Sequence, residues 1–435
     1  MNSMVSAQTR PVEEPGQVGV SVWQGAFYLF PLFLLLFATV FSPHKPLNTG
    51  NFLAVSTAEW YRPYLFGGVY LLAIVTIFTQ PVKALRLASR HGIYLAFLIY
   101  VIWTANWSAY PGKVVIVWGH FVGAYLVCLA AMLSPDVQRR NLTRMFLVFA
   151  ALSVAATLLI VAINPDRGIM DVGGKLRWIG FTNSANMLGA VMLISVWGCW
   201  TAFYSFRSQA ARWAVMSLIP LIAMCLFKSD SMTSLLLAVM VSLAFPVVMR
   251  LGRLSPLQAA AILFAFGVIM IAAILLLYTV VPEVFTAGTA LENLRYIGRS
   301  ATFTGRTALW DTALRAIADR PIIGWSFDSL FSVGDRYVIR ASHFHNGYLE
   351  LMVNGGLLGL IFVSSIIGQA LYRMLHALQD DACWGMSLGL LLLMVLLHNL
   401  AEPSLGKAPT FLWVIFTLCF VLLAMPRPTG ERGGG

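Results

Sequence analysis

Apolar runs long enough to cross a hydrocarbon layer about 30 Å thick as helices recur along the whole chain, separated by short polar stretches. The pattern predicts spans at Trp23–Phe41, Tyr64–Thr79, Gly92–Asn106, Val114–Leu133, Met145–Ile163 and Ala185–Tyr204. It continues with Trp213–Phe227, Thr233–Met249, Gln258–Val281, Gly347–Leu371, Trp384–Leu400 and Phe411–Met425. The expected fold is therefore an all-α polytopic membrane protein of about twelve transmembrane helices, with one large loop between spans nine and ten. Spans three and seven are short for a full crossing and also fit partly re-entrant segments.

The domain plan follows. Residues 1–22 carry Arg10, Pro11, Glu13, Glu14 and Pro15 and read as a disordered tail. Residues 23–281 hold spans one to nine, 282–346 the long loop with short helices, 347–425 spans ten to twelve, and 426–435 a second tail. The first run is too long for a signal-peptide core and no small-residue cleavage site follows it, so it is expected to stay in the mature protein.

The loops set the orientation. One set carries Lys83, Arg86, Arg90, Arg139, Arg140, Arg144, Arg207, Arg212, Arg250, Arg253 and Arg373, and the opposite set is poorer in basic residues. The richer set is expected in the cytoplasm, with both termini beside it. The long loop then faces outward, into the periplasm across an inner membrane.

Composition agrees with this pattern: 59% of residues are apolar and 11% charged, against about 25% charged in soluble chains. The net charge of +11 is spread over the loops rather than gathered on one segment, so no nucleic-acid partner is expected. The cysteines (Cys128, Cys199, Cys225, Cys383, Cys419) sit singly in or beside apolar runs and form neither a disulfide framework nor a zinc motif.

The candidate chemistry lies in the polar exceptions. The long loop has seven arginines and no lysine between Pro282 and Phe344, and Arg offers the rigid donor fork that suits phosphate. Asp311, Arg315 and Asp319 have the spacing of a helix-face ion ladder. Arg306 is different. It falls at the start of the helix predicted by TALWDTALRAIA, where a cation opposes the helix dipole. An anion held at that helix start would explain it, and so would a tertiary ion pair.

His345 and Asn346 precede span ten. Asn346 suits an N-cap and Glu350 the first turn, whereas His345 stands at the membrane boundary with no structural duty and is fit to move a proton. Gly355, Gly356 and Gly359 read as close-packing positions. A third cluster, GGKLRWIGFTNSAN, puts Arg177 on the outer side. A fourth, HNLAEPS, places His398 and Glu402 at the outer end of span eleven, as substrate contacts or as partners for a helix end.

The chain has no P-loop, no D-x-D and no H-E-x-x-H, so neither ATP use nor a bound metal or other cofactor is expected. His343 and His345 form an H-x-H that lacks a third ligand in the local sequence.

TGRTALWDTALRAIADRPIIGW followed by HNGYLELMVNGGLLG resembles the signature region of the bacterial O-antigen ligase and polysaccharide polymerase family. The hallmark there, His-Asn, nine residues and Gly-x-x-Gly, is met by His345, Asn346, Gly356 and Gly359. Gly305, Arg306, Thr307 and Trp310 match the family's Gly-Arg-Thr before a Trp-containing helix, and RWIGFTNSAN resembles its upstream outer-face motif through Arg177. Two positions depart from the pattern: Ala185–Asn186 stands where Pro-Asn is common, and Ser231–Met232 where Ser-Arg is common. AEPSL and the length look most like exopolysaccharide polymerases of the rhizobial type.

The resemblance implies a membrane glycosyltransferase of the GT-C kind that transfers a glycan from undecaprenyl diphosphate to a sugar hydroxyl with inversion. Its implied partners are the lipid-linked oligosaccharide, membrane lipid, a glycan acceptor, and chain-length regulators or export proteins. Arg306 and Arg177 would face the departing diphosphate, His345 would take or position the acceptor's proton, and Arg340, Asn346 and Glu402 would orient substrate. A polymerase of lipid-linked repeats is the leading expectation, a ligase acting on the lipid A core the second, and a lipid-linked glycan flippase the reading outside the class.

Overall fold

A helix occupies each of the eleven expected spans other than the ninth, and the described residues of the ninth, between 258 and 272, are helical as well. The computed structural model describes residues 15–42, 61–133, 139–172, 175–250, 255, 257–258, 261–262, 264–269, 271–272, 304–337, 343–380 and 382–424. Most of span nine, the first part of the long loop, Arg340 and the tail 426–435 lie outside them.

The helices are α1 (Pro15–Val40), α2 (Arg62–Phe78), α3 (Pro81–Ala88), α4 (Gly92–Trp103), α5 (Pro111–Ala131), α6 (Arg139–Ile163) and the short α7 (Pro165–Gly168). After the strands β1 (Ile169–Val172) and β2 (Lys175–Trp178) come α8 (Ala185–Ser205), α9 (Gln209–Met216), α10 (Ile219–Ser229) and α11 (Met232–Arg250). The rest are α12 (Thr304–Asp319), α13 (Phe331–Tyr337), α14 (Gly347–Asp380), α15 (Ala382–His398) and α16 (Phe411–Leu423). Seven segments among the described residues are long and apolar enough to cross a membrane, and four apolar helices are shorter.

Several boundaries move from their predicted places. The first helix begins at Pro15, inside the expected disordered tail; the fixed φ and missing N–H of proline suit a helix start. Spans three and seven gain the length they lacked, because short polar helical pieces extend them to Pro81–Asn106 and Gln209–Ser229. An apolarity pattern cannot see such pieces.

The fold is also not purely helical. β1 and β2 pair antiparallel, with Met170 opposite Arg177 and Val172 opposite Lys175. Strand alternation puts Lys175 and Arg177 on one face of this ribbon. Arg167 anchors it: its guanidinium donates to the carbonyls of Gly180 and Thr182, both at 3.1 Å, and to that of Ser42.

Helix α14 is two helices in one run. At Gly356 the backbone takes φ 57° and ψ −158°, a conformation essentially reserved for glycine. The break exposes backbone groups that the segment after α12 satisfies. Leu357 and Leu358 donate to the carbonyls of Pro321 and Ile322, while Trp325 and Ser326 donate to those of Val353 and Asn354. The Tyr100 hydroxyl donates to the carbonyls of Gly355 at 2.6 Å and Ile323 at 3.0 Å. Broken backbone at membrane depth is tolerated only when it is covered and paired in this way. The glycines expected to serve close packing therefore include one whose duty is a chain break. Leu357 to Asp380, at about 1.5 Å per residue, is by itself long enough to cross a layer about 30 Å thick.

The segment sealing this break ends in Phe327, whose ring enters the aromatic core where α4, α5 and α16 meet. It lies 5.9 Å from Phe97 and 6.1 Å from Phe121, and Phe121 lies 5.2 Å from Trp413. Large apolar side chains such as Phe78, Ile99, Ile163, Leu243 and Phe264 stay exposed on the flanks, as a lipid-facing surface requires. The long loop is thus fastened to the helical core, and the residues beyond it are held in fixed places.

Candidate active site

The site is built on a pinned phenylalanine. Phe344 is fully buried. Its N–H donates to Glu350 Oε2 at 3.1 Å, and its carbonyl accepts from the Trp310 indole at 2.9 Å. Glu350 is itself paired with Lys407 at 2.6 Å. With the middle residue fixed, His343 and His345 flank it with their ring centroids 4.0 Å apart. His345 has φ 52°, a left-handed conformation that costs a non-glycine residue of order 1–3 kcal/mol and clusters at functional sites. Asn346 then caps α14, its Oδ1 accepting from the N–H groups of Tyr348 and Leu349, both at 3.0 Å.

A second loop supplies the carboxylate. Buried Asn399 shapes it: Oδ1 accepts from the N–H groups of Ser404 at 2.7 Å and Leu405 at 2.8 Å, and Nδ2 donates to Ser404 Oγ at 2.8 Å. Its carbonyl accepts from Gly347 N at 2.8 Å, which ties the two loops together. Glu402 is thereby set against both imidazoles. Its Oε1 is 3.1 Å from His345 Nδ1, and its Oε2 is 3.5 Å from His343 Nε2. Burial alone would push this carboxyl up. The hydrogen bonds and charge of His343 and His345 outweigh burial and hold it well below the usual carboxylate range. With Glu402 ionised and accepting, a neutral His345 carries its proton on Nδ1 and leaves Nε2 as the proton acceptor, an assignment made from the hydrogen-bond pattern.

The network continues to the ribbon. Asn186 Nδ2 donates to Glu402 Oε1 at 2.6 Å, and Arg177 Nη2 donates to Asn186 Oδ1 at 2.9 Å. Arg177 also donates to the carbonyls of Ser229 and Asp230, both at 3.1 Å. Lys175, on the same strand face, pairs with the Asp230 carboxylate at 3.0 Å. A chain of hydrogen bonds thus runs from Arg177 through Asn186 and Glu402 to His345.

The expected site residues divide accordingly. His345, Asn346, Glu402 and Arg177 come together at one end of α8, α11, α14 and α15. Asn346 is a helix cap, and Glu402 holds two histidines. Arg306 lies in the first turn of α12 and one helical turn before Trp310, the residue bonded to Phe344. Arg340 lies outside the described residues. Arg315 pairs with Asp311 at 3.1 Å, but the expected ladder stops there, because Asp319 accepts from the Tyr337 hydroxyl. His398 is buried with Nε2 3.2 Å from Ser234 Oγ. The third ligand that the local sequence denied to His343 and His345 is Glu402, delivered by a separate loop.

Sequence reasoning missed Asn186, Asp230 and Asn399. Asn186 is the plainest omission, since a polar amide inside the first turn of an apolar helix is a signal in itself. Asn399 and Asp230 gave no signal beyond lying at helix ends.

Residues 216–364 match the family model described as O-antigen ligase, a stretch that holds Arg306, His345, Asn346 and Gly356. The exopolysaccharide production protein ExoQ of Rhizobium meliloti (strain 1021) is 27% identical over 347 residues, covering 76% of this chain and 77% of the relative. The O-antigen ligase of Pseudomonas aeruginosa is 25% identical over 395 residues, covering 88% and 84%. Across residues 216–364 the chain is therefore similar to the O-antigen ligase family, within a polytopic membrane protein similar along most of its length to a rhizobial exopolysaccharide production protein.

Proposed function

We propose that the protein is a polymerase of undecaprenyl-diphosphate-linked oligosaccharide repeats, working at the periplasmic face of the inner membrane. The observation that carries this reading is the His345–Glu402 pair at 3.1 Å, beside a helix whose first turn contains Arg306. In the reaction, the acceptor hydroxyl oxygen attacks the anomeric carbon of the lipid-linked sugar. The bond from that carbon to the phosphate oxygen breaks, undecaprenyl diphosphate leaves, and the hydroxyl proton passes to His345 Nε2. Inversion follows from attack opposite the leaving group.

Diphosphate is a good leaving group, so charge clamping and positioning carry much of the work. Arg306 supplies positive charge to the departing diphosphate. Arg177 adds charge at the far end of the network and, through Asn186, steadies Glu402. A ligase transferring the glycan to the lipid A core is the second reading, favoured by the similarity to the Pseudomonas O-antigen ligase.

The test uses purified protein with lipid-linked repeats alone, products resolved by size, and Arg306→Ala and His345→Ala alongside. A ladder of longer lipid-linked glycans, lost in both variants, supports the polymerase. Transfer only after lipid A core is added makes it a ligase. No transfer with any acceptor rejects the enzyme reading and returns the flippase.

A further inference from the structure

The geometry points to a binding site for one divalent transition-metal ion of the zinc type on His343, His345 and Glu402, whose occupancy turns His345 off as a proton acceptor. The ion's occupancy is independent of the function proposed above, and its effect on turnover rests on that function.

Three observations carry the site. The first is spacing. Ligands about 2.0–2.1 Å from a tetrahedral zinc ion lie roughly 3.3 Å from one another. Here His345 Nδ1 and Glu402 Oε1 are 3.1 Å apart, and His343 Nε2 and Glu402 Oε2 3.5 Å. One donor atom from each residue falls within 4.8 Å of the other two, so a contraction of at most about 1.5 Å completes the triangle. The second is preorganisation. Phe344 is held through both its N–H and its carbonyl, Asn346 caps the helix behind it, and Asn186 donates to Glu402 Oε1 at 2.6 Å. That last contact is the outer partner that ligating carboxylates ordinarily have. The third is access. All three residues are only partly buried, which gives an ion a route in and leaves a coordination position for water. Two imidazoles and one carboxylate suit zinc and its neighbours rather than magnesium or calcium.

The switch follows from the tautomer. Without an ion, Nδ1–H of His345 faces Glu402 and Nε2 has the free lone pair. An ion on Nδ1 needs the lone pair of that nitrogen, so the proton leaves Nδ1 and the single proton of neutral imidazole resides on Nε2. The atom that would receive the acceptor's proton becomes a donor. No net proton is released from the neutral form, and no redox step is involved.

The experiment uses the full chain in detergent, purified without a polyhistidine tag. Zn²⁺ binding is measured by equilibrium dialysis, and Co²⁺ is added as a visible probe of coordination. The expected result is one Zn²⁺ per chain and the intense absorption of four-coordinate Co²⁺. Binding should weaken at least about tenfold in His343→Ala and in Glu402→Gln, and by about 10–100-fold in Asn186→Ala. Absence of stoichiometric binding, a six-coordinate Co²⁺ spectrum, or variants that bind as the wild type does would overturn the site. The wild-type Co²⁺ spectrum decides even where a variant fails to fold. In the transfer assay Zn²⁺ should stop turnover and a chelator restore it, and undiminished turnover with the ion bound would overturn the switch. Binding is measured without substrate, so its failure leaves the glycan-transfer reading untouched.

Discussion

At the scale of single residues, the contact between Glu402 and His345 separates two roles that sequence alone merges. If Nε2 of His345 receives the acceptor's proton, His345→Ala lowers turnover by about 10²–10⁴, read as the initial rate of ladder formation; a rate near wild type would remove the assignment. Glu402→Gln keeps the shape but loses the charge facing the ring. Without that charge the Nδ1–H of His345 has a weaker acceptor to hold its tautomer, so Glu402→Gln should lower the initial rate of ladder formation; a rate near wild type would leave Glu402 a purely structural role. Stability gives an independent check. The folded carboxyl of Glu402 titrates below its unfolded value of about 4.3, so its contribution is whole above that pH and is lost as pH falls through the lower folded value. Thermal melts of wild type and Glu402→Gln should therefore differ at neutral pH and converge in strong acid.

At the scale of elements, the broken helix α14 and the loop shaped by Asn399 are the supports of the site. A Cβ on Gly356 would stand 2.4 Å from the Ile322 carbonyl oxygen, at φ 57°. Gly356→Ala combines a clash with backbone strain of about 1–3 kcal/mol, and should lower the melting temperature in detergent while Gly368→Ala, which meets nothing within 4 Å, leaves it nearly unchanged. Asn399→Ala strips partners from the Ser404 and Leu405 N–H groups. Each buried donor left unpaired costs about 1–3 kcal/mol, so a loss of at least about 2 kcal/mol is expected in denaturant unfolding. A smaller loss would mean that the loop holds itself. Neither support was legible as such. HNGYLELMVNGG showed that glycines matter, but the need for positive φ arises only when the Pro321–Ser326 segment docks into the break.

At the scale of the whole molecule, the claim at stake is orientation: the site end outward and the Arg-rich loops inward. Asp311 and Ser89 are both exposed and lie on the two expected sides. Of the native cysteines, Cys128, Cys199, Cys225 and Cys419 are buried, so a single introduced thiol reports cleanly once Cys383 is replaced. A membrane-impermeant thiol reagent should label Asp311→Cys in intact cells and Ser89→Cys only after the membrane is opened. The reverse pattern would put the site in the cytoplasm, where a periplasmic transfer reaction has no place.

Hydrophobic periodicity by itself determined the helical membrane class and most helix positions, because an apolar run's cost in water depends on composition and length and hardly on neighbours. Local sequence also determined the cap at Asn346 and the helix start near Arg306, which depend on residues within one turn. Only the tertiary structure decided what the polar residues do. Asn186, Glu402 and His345 are far apart in sequence and bonded in space, and Arg177 enters their network because a two-stranded ribbon turns it toward Asn186. Hydrogen bonds of this kind are set by distances of about 3 Å between groups that only the packed helices bring together, and no local pattern encodes them.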